Sequence, residues 1–259
     1  MTVIPQPKKR LGQHFLVDEN ILGVIGRLAA LEPDDVVLEV GPGLGVLTRY
    51  LADRVAVVHA IELDRSLEGP LGSGLEARDN VRLLLGDALV LDLSLLTPQP
   101  TKLVANPPYN IATPLVVESL DGLPSLERWC VMVQREVADR FFAVPRTKAY
   151  GAVSVLMQLR VRKVGFHAVS PTVFKPRPRV ESALVAFERI EGPSLDLLRP
   201  VVNASFAHRR KTLANSLALV GLASRAHAEQ ALAAIAKPPG TRAEELVPQD
   251  FVALADALR

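Results

Sequence analysis

The amino-acid sequence predicts an α/β fold with a mostly parallel sheet, followed by a small domain made only of helices. Three observations predict it: short apolar runs alternate with helix-length segments, polar residues or glycines follow four successive runs, and strand-like runs stop after Gly192-Pro193. Apolar runs of this kind are typical of buried strands in a parallel sheet. We therefore expect a first domain over residues 1–192 and a second over residues 193–259.

The first predicted element is a helix that Asp18 can cap and that ends before Pro33. Its apolar residues recur at helical spacing: Ile21, Leu22, Val24, Ile25, Leu28 and Ala29. Predicted strands follow at residues 36–40, 55–61, 81–85, 102–105 and 129–133. Two more, at residues 161–169 and 182–190, flank a proline-rich basic loop and are expected to pair as an antiparallel hairpin at the sheet edge. The remaining residues, rich in Ala and Leu, are expected to form helices.

The composition indicates a globular protein. With 259 residues, of which 49% are hydrophobic and 22% charged, the chain can bury one substantial core and a small second one. The one cysteine, Cys130, lies in an apolar run, so an internal disulfide is excluded and a cytoplasmic location is expected. No stretch reaches the roughly 18 apolar residues of a membrane span, so we expect no membrane association.

Glycines follow the first predicted strand, at Gly41-Pro42-Gly43-Leu44-Gly45. A dinucleotide-binding fingerprint requires a third glycine at position 46, where this chain has Val46. This difference argues against a nicotinamide-dependent oxidoreductase. A tight glycine turn nevertheless lets the backbone approach a ligand closely at the carboxyl ends of the strands.

Polar side chains follow the next three strands. Glu62 comes about twenty residues after the glycine loop, where a carboxylate can accept hydrogen bonds from ribose hydroxyls. Asp87 follows the third strand and Asn106 the fourth. Either carboxylate alone could instead be a helix cap or a loop residue. Because the carboxyl ends of parallel strands meet at one edge of a sheet, we expect all of these residues to line one crevice.

The motif Asn106-Pro107-Pro108-Tyr109 indicates methylation of an exocyclic amine on a base. The Asn106 side-chain carbonyl and a backbone carbonyl beside the prolines can both accept hydrogen bonds from one NH2 group, and Tyr109 offers a flat face for stacking. Two acceptors that draw the nitrogen towards tetrahedral geometry stabilise the transition state selectively. Taken alone, the motif fits a Pro-Pro turn that closes a strand equally well.

Basic residues are clustered although the net charge is only +2. Each cluster alone could be a solvated face, but three in a balanced chain favour RNA or DNA as a partner. One cluster precedes the first helix, one occupies the loop before the last strand, and one lies in the helical domain. The basic residues expected to bind RNA are Lys8, Lys9, Arg10, Lys175, Arg177, Arg179, Arg209, Arg210 and Lys211.

The glycine loop, Glu62, Asp87 and the Asn106–Tyr109 motif together resemble the class I S-adenosylmethionine-dependent methyltransferases, which have a Rossmann-like, seven-stranded, mostly parallel sheet. Further blocks, in the right order over nearly the whole chain, resemble the KsgA/RsmA-type ribosomal RNA adenine dimethyltransferases. These blocks are Lys8–Leu16, Asn106–Pro114, Lys148–Gly151, Phe174–Ser182 and Arg209–Leu217.

This resemblance implies a reaction and its partners. It implies that two methyl groups are transferred from S-adenosyl-L-methionine to N6 of each of two adjacent adenosines near the 3′ end of 16S ribosomal RNA. The substrate would be the small ribosomal subunit during ribosome biogenesis. The chain would act as a monomer, and no metal is expected to take part.

The resemblance also implies roles for individual residues. His14 and Leu16 would contact the methionine part of the cofactor, Gly41 would lie under it, Glu62 would hold the ribose, and Asp87 would contact the adenine amine. Every residue expected to bind the cofactor belongs to the N-terminal block or to a strand end: His14, Leu16, Gly41, Glu62, Asp87 and Asn106.

At the substrate, Asn106 and the carbonyl of Pro107 would hold the target N6 amine. Tyr109 and Phe174 would sandwich the flipped base. From the residues alone, Phe174 could instead be a core residue at a strand end, although its place among Pro and Arg favours a base.

The chain departs from the family pattern at positions 107 and 14. Position 107 is commonly leucine, and Asn-Pro-Pro-Tyr is shared with DNA adenine methyltransferases and with glutamine methyltransferases. Position 14 is often asparagine, so His14 puts cofactor affinity in question. The blocks at Lys8–Leu16 and Phe174–Ser182 favour ribosomal RNA. Two alternatives are a macrolide-resistance type enzyme acting on large-subunit RNA, disfavoured by Arg209–Leu217, and a non-catalytic RNA-binding assembly or transcription factor.

Overall fold

The computed structural model describes residues 7–8 and 12–259. Lys9 and Arg10, two of the residues expected to bind RNA, lie outside the described residues. In chain order the strands are β1 (Phe15–Leu16), β2 (Val36–Val40), β3 (Val57–Glu62), β4 (Val81–Leu85), β5 (Lys102–Ala105), β6 (Arg128–Gln134), β7 (Val161–Val169), β8 (Phe174–Lys175) and β9 (Ser182–Arg189).

Seven of these strands form one sheet in the order β4-β3-β2-β5-β6-β9-β7. The strands from β4 to β6 are parallel to their neighbours, and β9 pairs antiparallel with β6 from Trp129↔Phe187 to Gln134↔Ser182. This confirms the predicted α/β class and the seven-stranded, mostly parallel sheet. After β2 the chain adds β3 and β4 on one side of β2, and it then adds β5 and β6 on the other side. The reversal opens a crevice at the carboxyl ends of β2 and β5, where ligands bind in such sheets.

The helices in chain order are α1 (Asn20–Ala29), α2 (Val46–Ala52), α3 (Glu68–Ser73), α4 (Tyr109–Gly122), α5 (Arg135–Phe141), α6 (Ala152–Gln158), α7 (Leu195–Phe206), α8 (Leu213–Leu219), α9 (Arg225–Ala234) and α10 (Pro248–Ala257). Within the part of the chain that the structure describes, no helix combines the length and the apolar character needed to cross a membrane.

Helices cover both faces of the sheet. On β6, the Cys130 side chain points to α1, since its sulfur lies 3.9 Å from the Ile25 carbonyl. Its neighbour Trp129 points to the opposite face, where its indole N–H donates to Ser119 of α4 at 2.8 Å. Successive residues of a strand face opposite sides, so the residues from Trp129 to Val133 in β6 are all apolar. That is why the parallel strands appear in the sequence as mainly apolar runs.

Two compact units make up the described chain. The first comprises the described residues up to Ala138 together with Lys163–Arg189 and contains the sheet core. The second comprises Asp139–Arg162 and Ile190–Arg259 and is helical apart from the first residues of β7. Its core contains Tyr150, edge-on to Phe206, and Phe251, stacked on Phe206 at 5.6 Å. The helices predicted beyond residue 193 are confirmed.

The observed strands differ from the predicted ones at a few ends. β3 begins at Val57 instead of Val55, because the amides of Ala56 and Val57 still donate to the Asp35 carbonyl in a connecting turn. β7 and β9 are sheet neighbours at the edge, as expected of the predicted hairpin. The short antiparallel pair formed by β1 and β8 was not predicted. The division into domains at residue 192 stays a prediction; the structure groups residues 139–162 with the C-terminal unit.

Candidate active site

A cavity of about 210 Å³ lies at the carboxyl ends of β2, β3 and β5. Most of the predicted site residues line it: His14, Leu16, Gly41, Glu62, Asp87, Asn106, Pro107 and Tyr109. Phe174 is absent from this lining. The sheet topology therefore brings the strand ends together as the sequence indicates, and the N-terminal segment 12–16 forms a further wall.

The glycine loop turns sharply beneath the cavity. Gly41 and Gly43 have φ values of +76° and +59°, a backbone region that favours glycine. A Cβ on Gly43 would lie 2.9 Å from a ring carbon of Phe15, closer than a side chain can tolerate. The Gly41 N–H donates to the Ile61 carbonyl at 2.9 Å, which ties the loop to the end of β3. At Gly41 and Gly43 the loop therefore presents backbone, and no side chain, to a ligand.

Glu62 is buried at the end of β3 and is held by backbone amides. One carboxylate oxygen accepts a hydrogen bond from Gly43 N at 3.1 Å and the other from Asp64 N at 2.8 Å. Burial raises the pKa of Glu62, and these amide hydrogen bonds oppose the rise. A carboxylate has about four lone-pair sites, so acceptor capacity remains for ligand hydroxyls.

Glu39 is a second buried carboxylate in the cavity wall, and the sequence interpretation missed it. It is 1% exposed, and no residue that the structure describes forms a hydrogen bond with its Oε2 atom. Burial raises the pKa of Glu39 to about 8. A charged residue within the otherwise apolar β2 was the signal that could have found it. Glu39 therefore keeps its proton near neutral pH and adds no negative charge to the cavity wall.

Asp87 lies just after β4, at the far end of the cavity. Its Oδ1 atom accepts a hydrogen bond from Leu89 N at 2.9 Å, which fixes the side chain in a local turn. The Gly86 N–H donates to the Glu62 carbonyl at 2.9 Å and keeps the ends of β3 and β4 side by side. Asp87 and Glu62 therefore line the same cavity, as predicted.

Asn106 follows β5 with its amide oriented by the N-terminal segment. The side-chain Nδ2 donates to the His14 carbonyl at 3.3 Å. This hydrogen bond assigns the NH2 group to His14 and leaves Oδ1 available as an acceptor in the cavity. Pro107 is buried beside it, and Pro108 immediately precedes α4. The geometry provides the acceptor that the motif predicted.

Tyr109 is the first residue of α4 and is held at two points. Its ring packs against the His14 imidazole, with centroids 5.7 Å apart and planes inclined by 27°. Its hydroxyl lies 2.5 Å from the Ser182 Oγ atom. His14 Nδ1 in turn lies 2.8 Å from the Pro176 carbonyl, so that this nitrogen is the donor there. The His14 side chain thus supports Tyr109, while its backbone orients Asn106.

The N-terminal segment is anchored to the sheet through Asp64. The buried Asp64 carboxylate accepts from Lys8 Nζ at 2.5 Å and from Gln13 Nε2 at 3.0 Å. Although burial alone would raise it, hydrogen bonds from Lys8, Ser66 and Gln13 hold the pKa of Asp64 well below its usual range. Lys8, expected to bind RNA, is therefore engaged within the protein.

Phe174 lies in the hydrophobic core and not at the cavity. It is 2% exposed and packs in one cluster with Leu16, Val169 and Val173. The cause is the pairing of β8 with β1, in which Leu16 and Phe174 are direct partners. Directly paired residues of two neighbouring strands point to the same face, so Phe174 is buried on the same side as Leu16. This position does not support the predicted stacking of Phe174 on a base.

The other basic residues that were predicted to bind RNA, and that the structure describes, are on the surface. Lys175 is exposed at the end of β8, and Arg177 and Arg179 are exposed on the loop between β8 and β9. Arg209, Arg210 and Lys211 are exposed in the turn between α7 and α8. Arg209 lies 3.4 Å from Glu244, a solvent-screened pair that a phosphate can replace.

Comparison with known proteins adds a family match. The family model described as ribosomal RNA adenine dimethylase matches residues 4–257. A protein of Rubrobacter xylanophilus named ribosomal RNA small subunit methyltransferase A is 50% identical over 252 residues, covering 96% of this chain and 94% of the relative. A protein of the same name from Syntrophotalea carbinolica is 44% identical, covering 98% and 97%.

Solved structures give the same fold. A dimethyladenosine transferase from Plasmodium falciparum superposes with a TM-score of 0.78 at 24% identity, covering 93% of this chain and 96% of that one. The 23S rRNA methyltransferase ErmE superposes with a TM-score of 0.65 at 29% identity, covering 94% and 99%. These similarities confirm the fold class predicted from the sequence.

Proposed function

Because the chain belongs to the ribosomal RNA adenine dimethylase family, we propose that it dimethylates N6 of two adjacent adenosines near the 3′ end of 16S ribosomal RNA, with S-adenosyl-L-methionine as the methyl donor. The observation that carries the proposal is the orientation of Asn106. Its amide NH2 is held by the His14 carbonyl, so its Oδ1 atom is available to accept a hydrogen bond from a target amine.

The cavity suits this cofactor in shape and charge. S-adenosyl-L-methionine, when bound, supplies a methyl group on a positively charged sulfur. Glu62 would accept hydrogen bonds from the ribose hydroxyls, Asp87 would accept from the adenine amine, and Gly41 would pass beneath the chain of the methionine part. Leu16 and the backbone of His14 would close the cavity from above.

The chain positions the amine and does not need to ionise it. Asn106 Oδ1 and the Pro107 carbonyl would accept the two N6 hydrogens and draw the nitrogen lone pair towards the methyl group. Holding the two reacting atoms in line can contribute on the order of 7–11 kcal/mol to lowering the barrier. After attack, N6 is a strongly acidic cation that loses a proton to water, so no strong general base is required.

Tyr109 would stack on the flipped adenine. A base extruded into a pocket loses its stacking in the RNA, and an aromatic face recovers roughly 1–3 kcal/mol per base. At position 107 only the backbone carbonyl takes part, so proline can stand where leucine is common. The Asn-Pro-Pro-Tyr sequence is therefore compatible with an RNA substrate.

RNA would be held by the basic loop and turn. We assign phosphate contacts to Lys175, Arg177, Arg179 and the Arg209–Lys211 turn, all of them exposed. Lys8 would act indirectly, through its ion pair with Asp64. The chain would act as a monomer, as the family resemblance implies, and a ribosomal substrate supports a cytoplasmic site of action.

The rival substrate is large-subunit ribosomal RNA. The relatives named for the small subunit are 50% and 44% identical, whereas the structure named for 23S rRNA is 29% identical, which favours the small subunit. A non-catalytic RNA-binding factor is disfavoured because Asn106, Tyr109, Glu62 and Asp87 all line one cavity.

Methyl transfer to isolated ribosomal subunits tests the proposal. With labelled S-adenosyl-L-methionine, we expect label in adenosines of undermethylated small subunits and none in large subunits. Asn106→Ala should lower the rate at least a hundredfold, the usual loss when one transition-state donor or acceptor is removed. Its cofactor affinity, measured by calorimetry, should stay within a few-fold of the unmodified protein.

Asn203→Ala, at an exposed position on α7, is the matched control and should keep normal activity. Label confined to the large subunit would overturn the choice of substrate. Near-normal turnover by Asn106→Ala would overturn the role of the motif.

A further inference from the structure

Ser182 connects the edge of the sheet to Tyr109. Its Oγ atom lies 2.5 Å from the Tyr109 hydroxyl, and the residue is 1% exposed. Burial raises the pKa of the Tyr109 phenol, so the hydroxyl keeps its proton and can donate. The contact is therefore a partly buried hydrogen bond between two neutral hydroxyls.

The backbone of Ser182 is fixed in place. It is the first residue of β9, directly opposite Gln134 in an antiparallel pairing that continues to Arg128↔Glu188. Tyr109, by contrast, sits at the first position of α4, where the helix has just begun. The Ser182 hydroxyl, held in place by the sheet, therefore restricts the motion of the Tyr109 ring at the start of α4. The His14 imidazole packs against the same ring at 5.7 Å.

We propose that Ser182 is a positioning residue that fixes the Tyr109 ring for stacking, and that the second methyl transfer depends on it more than the first. The proposal rests on the proposed function, because it concerns the same adenine. Ser182 does not line the cavity, yet the proposal predicts that it changes the ratio of monomethylated to dimethylated product.

The reason lies in the number of hydrogen bonds that hold the base. In the first transfer, N6 forms a bond to the methyl carbon as the carbon–sulfur bond breaks, and N6 loses one proton to water. The unmodified amine offers two N–H groups to Asn106 Oδ1 and the Pro107 carbonyl. The monomethylated amine has one N–H left, so it can satisfy only one of these acceptors.

Stacking on Tyr109 is unchanged by the first methyl group. It therefore provides a larger share of the binding of the monomethyl base, which must also settle with its methyl turned aside. A ring that can move will release or misplace this intermediate more often than the unmodified base. Loss of Ser182 should consequently appear as accumulation of monomethyladenosine.

The experiment measures the ratio of N6-methyladenosine to N6,N6-dimethyladenosine in small-subunit RNA, by mass spectrometry of nucleosides after limited reaction. We expect Ser182→Ala to raise this ratio roughly two- to tenfold, the effect of one net hydrogen bond. Tyr109→Phe removes the same hydrogen bond from the other side and should raise the ratio similarly. The double variant should match the single variants, because both remove one interaction.

Two further variants separate positioning from general destabilisation. Ser182→Thr keeps a hydroxyl and should restore a ratio close to that of the unmodified protein. Ser205→Ala removes another buried hydroxyl, which bonds to the Val201 carbonyl of its own helix, and should leave the ratio unchanged. If Ser182→Ala does not fold, Tyr109→Phe provides the same test.

An unchanged ratio in both Ser182→Ala and Tyr109→Phe would overturn the proposal, as would additive effects in the double variant. If the unmodified protein forms neither N6-methyladenosine nor N6,N6-dimethyladenosine, the proposed function itself is overturned. This outcome differs from an unchanged ratio, so failure of the positioning role and failure of the proposed function can be told apart.

Discussion

At the scale of single residues, Glu39 is a side chain whose protonation the fold changes strongly. Its pKa rises from about 4.5 to about 8 because β2 buries it completely. The folded state therefore holds a proton that the unfolded state releases above about pH 4.5. The stability linked to this proton is fully present below that pH and is lost as the pH rises towards 8.

Glu39→Gln should remove this pH dependence. Above pH 4.5, ionisation of Glu39 in the unfolded state lowers the free energy of unfolding by up to about 1.4 kcal/mol per pH unit. The amide of Gln does not ionise, so the variant does not lose this stability. We expect thermal unfolding to show little difference between Glu39→Gln and the unmodified protein near pH 5, and a higher midpoint for the variant at pH 8. Glu76→Gln, at an exposed position, should show no such divergence. The assignment would be contradicted if the unfolding midpoint of Glu39→Gln, compared with that of the unmodified protein, were lower at pH 8 than at pH 5.

The strand-end rule predicted the positions of Glu62, Asp87, Asn106 and Tyr109, since it depends only on the order of parallel strands. It could not predict Glu39 or Phe174. Whether a residue inside a strand faces the core or a cavity depends on which element pairs with it. Phe174 was interpreted from its polar sequence neighbours, whereas its burial depends on Leu16, far away in the chain.

At the scale of elements, the N-terminal segment is held across the cavity by one carboxylate. Gln13 and Lys8 both donate to Asp64, and Gln13 Oε1 accepts from the Lys8 backbone N–H at 2.8 Å. The segment contains β1, which is only two residues long. So short a strand has no periodicity to detect, which explains why the sequence did not predict it, whereas the longer strands β2, β4, β5 and β7 were predicted with their observed bounds.

Asp64→Ala should loosen this segment and weaken cofactor binding. The variant loses the hydrogen bonds from both Lys8 and Gln13, and we expect the dissociation constant measured by calorimetry to rise about tenfold, which corresponds to about 1.4 kcal/mol. Gln13→Ala removes its hydrogen bonds with Asp64 and with the Lys8 backbone while leaving the Lys8–Asp64 pair, and should shift the constant in the same direction. Asp53→Ala breaks an exposed ion pair with Arg78 and serves as the control. An unchanged constant in both Asp64→Ala and Gln13→Ala would show that the anchor does not support the cavity.

At the scale of the whole molecule, the chain crosses between its two units more than once. Residues 139–162 leave the sheet unit, and α6 within them packs on α7 and α10. The Tyr150 hydroxyl donates to the Leu246 carbonyl at 2.8 Å within the same unit. Composition along the chain changes near residue 192, so a contiguous division was the natural prediction. Contacts between segments so distant in sequence leave no local signal.

A chain truncated after residue 192 should not be a stable domain. Removing α7 and α10 uncovers the buried ring of Tyr150 and the apolar side of α6, which includes Val155 and Leu156. We expect the truncated chain to aggregate on expression or to unfold without a cooperative transition, by circular dichroism and thermal scanning. A soluble fragment 1–192 with a sharp unfolding midpoint would contradict the grouping of residues 139–162 with the C-terminal helices.

The pairing of β1 with β8 joins the cofactor cavity to the basic loop. β1 lines the cavity, and β8 begins the segment that carries Arg177 and Arg179. We expect cofactor and RNA each to favour the paired form, which would link their binding free energies. Thermodynamic reciprocity would then require the cofactor to raise RNA affinity by the same factor as RNA raises cofactor affinity. Through this two-residue ladder, methyl donor and acceptor would be cooperative ligands of one protein.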